Sequence, residues 1–164
     1  MKILAFDISS SPGAAIIEIK NGKPKLIIAD SVKTDKNTAD SQRFAYIEAF
    51  AVKTIHEYGQ FDAVVREHFT KGGSKRSTQL VFGAWAAIDM ALGRYNYKVD
   101  SEISPTELKR VIGGKGTATK KEVEDGVRRL CAMPDSYRFK SDDASDAAAV
   151  ALTYAINKKL IKAE

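Results

Sequence analysis

Apolar positions along the chain keep two rhythms, and the switches between them divide it into elements. Residues 4–8 form a short apolar run broken only by Asp7, the pattern of a buried strand. Residues 14–20 read as a second strand. Asn21-Gly22 supplies the two left-handed positions that a two-residue hairpin needs, with Pro24 just behind them. Residues 25–32 then read as a third strand, so the chain is expected to open as an antiparallel meander.

After a polar stretch at 33–38 the period lengthens. Phe44, Ile47, Ala51 and Ile55 recur at helical spacing and predict a helix over 41–58, with Asp40 as its N-cap and Gly59 as its stop. Residues 61–69 predict a fourth strand. Alternation there puts Ala63, Val65 and Glu67 on one face and Val64, Arg66 and His68 on the other. A glycine-rich basic loop, 71–76, leads to a helix over 77–95. That helix is so apolar and so rich in small residues that burial on more than one side is expected, against the sheet and against a second copy of the chain.

Residues 97–103 read as a fifth strand. Ser104-Pro105-Thr106-Glu107 carries the serine cap, first-position proline and third-position glutamate of a helix start. Thr119-Lys120-Lys121-Glu122 repeats the capping pattern for a helix reaching about residue 133. The last helix is expected over 142–160, with Asp142 able to cap it. Together these predict an α/β fold with a five-stranded mixed sheet, three antiparallel strands followed by a fourth and a fifth, flanked by helices. A chain of 164 residues is expected to make a single domain over 1–164.

Charge adds a partner class. The formal net charge is +5 and the isoelectric point about 9.2, which favours polyanions, nucleic acid being the commonest. No apolar run approaches the roughly 20 residues that cross a bilayer, so no membrane partner is expected. Asp7 interrupts the start too early for a signal peptide, and a cytoplasmic location follows as an expectation. Cys131 is the lone cysteine, which excludes an intramolecular disulfide and a cysteine-based zinc site; beside Leu130 it reads as buried filler. The only histidines, His56 and His68, are assigned neither to metal nor to proton transfer.

Candidate chemistry comes from carboxylates in unexpected places. Asp7 sits inside an apolar run, where an ionised group costs several kcal/mol unless a partner or a metal offsets it. Glu67 closes the fourth strand on the face of Val65. Asp143 and Asp146, three apart at the start of the last helix, share a face continued by Ala147, Val150, Ala151 and Tyr154. Each has a plainer reading alone: a turn cap for Asp7, an ion pair for Glu67, dipole partners for the helical pair. As a set they offer hard oxygen ligands for Mg²⁺ or Mn²⁺. Two such ions roughly 3.5–4 Å apart serve phosphodiester cleavage.

The set resembles the RuvC family of Holliday junction resolvases, within the RNase H-like superfamily, along nearly the whole chain. Ile3-Leu4-Ala5-Phe6-Asp7-Ile8-Ser9 is similar to the family's first strand, although Ser9-Ser10-Ser11 replaces the glycine usual after its aspartate. Val64-Val65-Arg66-Glu67 matches the fourth strand and its glutamate. Residues 105–123 resemble the lysine-bearing helix, Gly-x-Gly turn and Lys-x-x-Val helix start, and Asp143-Ala144-Ser145-Asp146-Ala147-Ala148-Ala149 resembles the Asp-Ala-x-Asp-Ala-x-Ala helix.

The resemblance implies a homodimeric, Mg²⁺-dependent endonuclease that nicks branched DNA, chiefly four-way junctions, with forks and flaps as further substrates in divergent, phage-like members. It implies that Asp7, Glu67, Asp143 and Asp146 hold the ions, with Mn²⁺ able to substitute, and that Lys109 and Lys120 act at the scissile phosphate. Lys71, Lys75, Arg76, Lys115 and Lys121 are expected along the DNA backbone. Phe69, one position out of the family's spacing, is the expected wedge between bases. Two other readings stay open on sequence: an RNase H-like nuclease acting on RNA or RNA–DNA hybrid, and a non-catalytic branched-DNA-binding protein. Retained carboxylates weigh against the latter, because they repel phosphate unless a cation intervenes. An actin- or sugar-kinase-like ATPase needs two lobes and a longer chain.

Overall fold

The computed structural model describes residues 1–69 and 73–162. Five strands, β1 (Lys2–Asp7), β2 (Gly13–Lys20), β3 (Lys23–Ser31), β4 (Ala63–Glu67) and β5 (Ser101–Ile103), form one sheet in the order β3-β2-β1-β4-β5. The β1–β2 and β2–β3 pairs are antiparallel, whereas β4 lies parallel to both β1 and β5. The expected mixed sheet is therefore present, and it changes from antiparallel to parallel at β1. Asn21 and Gly22 turn the first hairpin with φ of 52° and 74°, as their sequence demands.

Helices cover both faces. α1 (Asp40–Tyr58) and α2 (Lys75–Arg94) lie on one, where Leu4, Phe6, Ile16 and Val64 meet Ile47, Ala51, Ile55, Ala84, Ile88 and Leu92. α3 (Pro105–Gly113), α4 (Lys120–Leu130) and α5 (Asp142–Asn157) lie on the other, where Ile3, Ala5, Ala15, Ile17 and Val65 meet Leu108, Ile112, Val127 and the alanine-rich body of α5. Alternation along each strand thus sends odd-numbered residues of β1 and β4 toward α5 and even-numbered ones toward α1 and α2.

Several boundaries differ from expectation for identifiable reasons. Ala39, not Asp40, is the N-cap of α1, and the Asp40 carboxylate instead receives the Arg76 guanidinium at 2.5 and 2.6 Å. Lys75 and Arg76 are the first turn of α2 rather than loop, because Ser74 caps that helix through a reciprocal bond with Ser77. β4 ends at Glu67 instead of 69, and β5 begins only at Ser101 instead of 97. Before it, the Asp100 carboxylate, not a backbone carbonyl, accepts the Val64 N–H at 2.8 Å. α4 stops at Leu130 rather than 133, with Ala132 in the left-handed region at φ 49° and Cys131 half-buried at the C-cap. α5 stops at Asn157 rather than 160, with Lys159 left-handed at φ 57°. Its N-cap is Ser141, whose hydroxyl accepts the Ala144 N–H at 3.2 Å, so Asp142 is the first helical residue and not the cap.

The second helix is buried along one side only. Val81, Ala84, Ala87, Ile88, Ala91 and Leu92 face the core, whereas Phe82 and Met90 remain 44% and 56% exposed, with exposed Ala86 between them. Among the described residues, no helix is long and apolar enough to cross a membrane.

Candidate active site

β1 and β4 are parallel neighbours, with Phe6 beside Arg66, so their carboxyl ends finish side by side. Crevices outside the carboxyl ends of strands, where connections diverge, are where open α/β sheets bind ligands. Asp7 and Glu67 occupy those two ends and share the face that α5 covers. Asp7 is only 6% exposed. Asp143 and Asp146 stand on the first turns of α5 above it, and the Ser9 hydroxyl donates to Asp143 Oδ1 at 3.4 Å.

Electrostatics link the four groups. Burial pushes the Asp7 carboxyl well above the usual carboxylate range; a side-chain hydrogen bond with Glu67 and the charges of Glu67, Asp146 and Asp143 push it further. Asp146 is pushed up to about 6, chiefly by burial, with Lys120 pulling it down and Glu67, Asp143 and Asp142 pushing it up. Asp7 and Asp146 therefore both feel the negative charge of Glu67 and Asp143 beside them. Among the described residues, no three acidic, histidine or cysteine side chains are gathered into a ready-made metal cage. Like charges at a dry strand end hold apart until a cation offsets them.

The donor set fits a hard divalent cation. It consists of carboxylate oxygens only, it is partly desolvated, and it carries more negative charge than Lys120 beside it can offset.

Two lysines border the carboxylates. Lys120 opens α4, oriented by the reciprocal capping bonds of Thr119 and Glu122. Its ammonium lies 3.4 Å from Asp142 Oδ2 and 3.7 Å from Asp146 Oδ2. Lys109, on α3, joins Lys120, Glu67 and Asp146 in lining a cleft of about 290 Å³. A larger hollow, about 590 Å³, lies beside it, and its lining sets Lys120, Lys121, Arg128 and Arg138 against Glu124, Asp125, Asp135 and Asp142.

The remaining expected DNA contacts scatter. Lys121 is paired with Asp125 at 3.1 Å, and Lys115 with Glu122 at 2.7 Å. Arg76 is paired with Asp40, and Lys75 is exposed beside it on α2. Phe69 is half-buried against the α1–α2 core and meets Phe82 edge-on at 5.6 Å. Lys71 lies outside the described residues. His68 turns away from Glu67, as alternation predicts, and bonds Glu102 at 2.6 Å.

The site also holds residues that sequence reasoning did not single out. Ser9 was seen only as part of a turn. Gly13 begins β2 directly across from Asp7, and a Cβ there would lie 1.9 Å from the carbonyl oxygen of Asp143. No spacing rule marks such a long-range approach.

The family model described as "Crossover junction endodeoxyribonuclease RuvC" matches residues 3–154. The chain belongs to this family. A RuvC of Rickettsia massiliae is 30% identical over 159 residues, 96% of this chain and 99% of the relative. The structure of Thermus thermophilus RuvC superposes with a TM-score of 0.82 at 23% identity, covering 98% of this chain and 96% of that one. Thermus RuvC in complex with Holliday junction substrate gives 0.83 at 21% identity, with the same coverage. These likenesses establish the RuvC fold, RNase H-like as expected, from the first strand to the last helix.

Proposed function

We propose that this RuvC-family chain is a divalent-metal-dependent endonuclease that resolves Holliday junctions and related branched DNA. The observation that carries the reading is the carboxylate group at the ends of β1 and β4, whose most buried member, Asp7, lies at 6% exposure with its carboxyl pushed well above the usual range by burial and by Glu67, Asp146 and Asp143. Family membership supplies the substrate class: the curated relative is a crossover junction endodeoxyribonuclease, and a Thermus relative was solved with its junction.

Asp7, Glu67, Asp143 and Asp146 hold the ions in this reading. Bound Mg²⁺, or Mn²⁺ in its place, supplies Lewis-acid contact to the scissile phosphate and lowers the pKa of a water. Lys120, already over Asp146, becomes available to phosphate once the carboxylates are otherwise neutralised. Lys109, which lines the same small cleft, meets the same phosphate. Lys121 and Arg128, on the wall of the neighbouring hollow, meet a backbone strand at the expense of their pairs with Asp125 and Glu124. Lys75, Arg76 and Lys115 make peripheral backbone contacts at the expense of their present pairs, and Phe69 must leave Phe82 before it can meet a base.

A four-way junction has two strands to cut, and two copies of the chain fit that need. The exposed ridge of Phe82, Ala86 and Met90 on α2 is apolar surface of the kind a homodimer covers.

The test incubates the purified protein with Mg²⁺ and four-way junction, fork, flap, linear duplex and RNA–DNA hybrid, beside a measurement of mass by light scattering. Paired nicks in the junction by a dimer are expected. Cleavage of hybrid alone, or tight junction binding without cleavage at any divalent ion concentration, would replace this reading.

A further inference from the structure

Sheet register places three residues of different chemistry in one transverse row. Asp7 is paired with Gly13 on β2, and Gly13 with Ser31 on β3. Directly paired residues project to the same face, so a carboxylate, a bare backbone and a hydroxyl line up under the start of α5.

Each makes a different connection to that helix. At Gly13 the backbone of β2 approaches α5 so closely that any Cβ would collide with the Asp143 carbonyl. At Ser31, which is 8% exposed, the hydroxyl receives the Ser141 hydroxyl at 2.8 Å. Ser141 in turn accepts the Ala144 N–H at 3.2 Å. Capping uses only a lone pair of Ser141; its proton is left over, and Ser31 takes it. One residue earlier on each segment, Lys140 reaches Asp30 at 2.6 Å, and Asp30 also accepts the Ser31 N–H at 2.8 Å.

We infer that Ser31 is a positioning residue for the carboxylate group. Acting through Ser141 and against the Gly13 contact, it fixes the height and rotation of the first turn of α5, and so the distance of Asp143 and Asp146 from Asp7 and Glu67. The inference rests on the ion-binding reading above and extends it to a residue that touches no ion. Two independent stops are needed for such a seat, because a close contact limits approach while a hydrogen bond limits rotation. Ser31 and Gly13 are one of each. Outer partners that orient ligands typically change metal affinity by about 10–100-fold.

The test is Mn²⁺ binding to the otherwise metal-free protein, followed by electron paramagnetic resonance, with thermal unfolding measured beside it. Ser31→Ala is expected to weaken Mn²⁺ binding about ten-fold, whereas Ser31→Thr, which keeps the hydroxyl, restores most of it. Added to Ser141→Ala, Ser31→Ala should produce no further loss, since both remove the same bond. Ile88→Val, a trim in the opposite core, controls for destabilisation: its Tm falls while Mn²⁺ binding stays unchanged. Unaltered Mn²⁺ affinity in Ser31→Ala, equal losses for alanine and threonine, or full additivity with Ser141→Ala would each overturn the inference. Asp7→Asn separates the two levels. If it abolishes Mn²⁺ uptake while Ser31→Ala leaves uptake intact, the seat fails alone. If wild type takes up no Mn²⁺, the ion-binding reading fails and takes the seat with it.

Discussion

Arg66 and Glu67 are consecutive on β4 and face opposite sides of the sheet, and the two sides treat charge in opposite ways. Beneath Arg66, the guanidinium lies 2.9 Å from Asp89 and 2.7 Å from Glu102, and stacks 3.8 Å from the centre of the Trp85 ring. Glu102 also meets His68 at 2.6 Å; burial works against its ionisation, yet His68 and Arg66 hold its carboxyl below the usual range. Every charge named there has an opposite neighbour within the chain. Above Glu67, burial and the neighbouring carboxylates push the Asp7 and Asp146 carboxyls up, and Lys120 lies at their rim. The first side is complete as folded. The second carries unbalanced charge that costs stability, which marks it as the side that waits for something from outside.

Removing a charge is the sharpest way to break that contrast. Asp7→Asn takes away the most buried carboxylate. We expect junction cleavage to fall on the order of a thousand-fold or more, with junction binding in the absence of divalent ions unchanged. Gel-based cleavage and binding titrations read the two separately. Full activity in this variant would remove Asp7 from the mechanism and leave the strand-end aspartate a turn residue.

The second prediction concerns pH and the metal-free protein. The folded carboxyl of Asp146 titrates near 6 against a reference of 3.8, so folding favours its protonated form. A raised acid gives stability that is present below the reference value and is lost as pH climbs through the folded one. Asp146→Asn should therefore come close to wild type near pH 4 and exceed it by about 3 kcal/mol well above pH 6, in urea unfolding with a chelator present. Saturating Mg²⁺ should reverse the order, since wild type alone keeps the full ligand set. An Asp146→Asn variant less stable than wild type at pH 7 without metal would mean that the carboxylates are stabilised within the chain after all.

Much of this contrast was legible before folding was considered. The alternation Ala63–Val65–Glu67 against Val64–Arg66–His68 separated the two sides, and the apolar run around Asp7 marked a carboxylate out of place. Local signals of this kind depend on a few adjacent residues. The capping residues at Ser104 and Thr119 are equally local, and both form. What stayed hidden is long-range. Asp40 looks like a cap in its own segment, but Arg76 takes its carboxylate from 36 residues away. Asp142 likewise looks able to cap its helix, but Ser141 does so, its hydroxyl held from Ser31 110 residues away. β5 was drawn too long because apolar residues at 97 and 99 serve the core beside the sheet rather than the ladder. Phe69 is similar: an aromatic past the active-site strand can be a wedge or a core residue, and only the position of Phe82 decides which it is in the free protein.

The smallest effect is expected on the completed side, where the same chemical change should act with the opposite sign. Glu102→Gln removes one acid from the Arg66 network. Arg66 keeps Asp89 and Trp85, so the loss should be only about 1 kcal/mol at pH 7, in the range of a partly exposed ion pair. Because the folded carboxyl of Glu102 lies below its reference of 4.5, its contribution is present above that value and disappears as pH falls through the folded one. Acid-to-amide substitutions on the two faces should thus converge at low pH and diverge at neutral pH, Asp146→Asn upward and Glu102→Gln downward. Cleavage by Glu102→Gln should equal wild type, because Glu102 is bonded to Arg66 and His68 and to none of the residues proposed to hold the ions or meet the scissile phosphate. A large loss of cleavage with stability intact would show that the two sides of β4 are coupled through the strand, and that Arg66 helps set the position of Glu67.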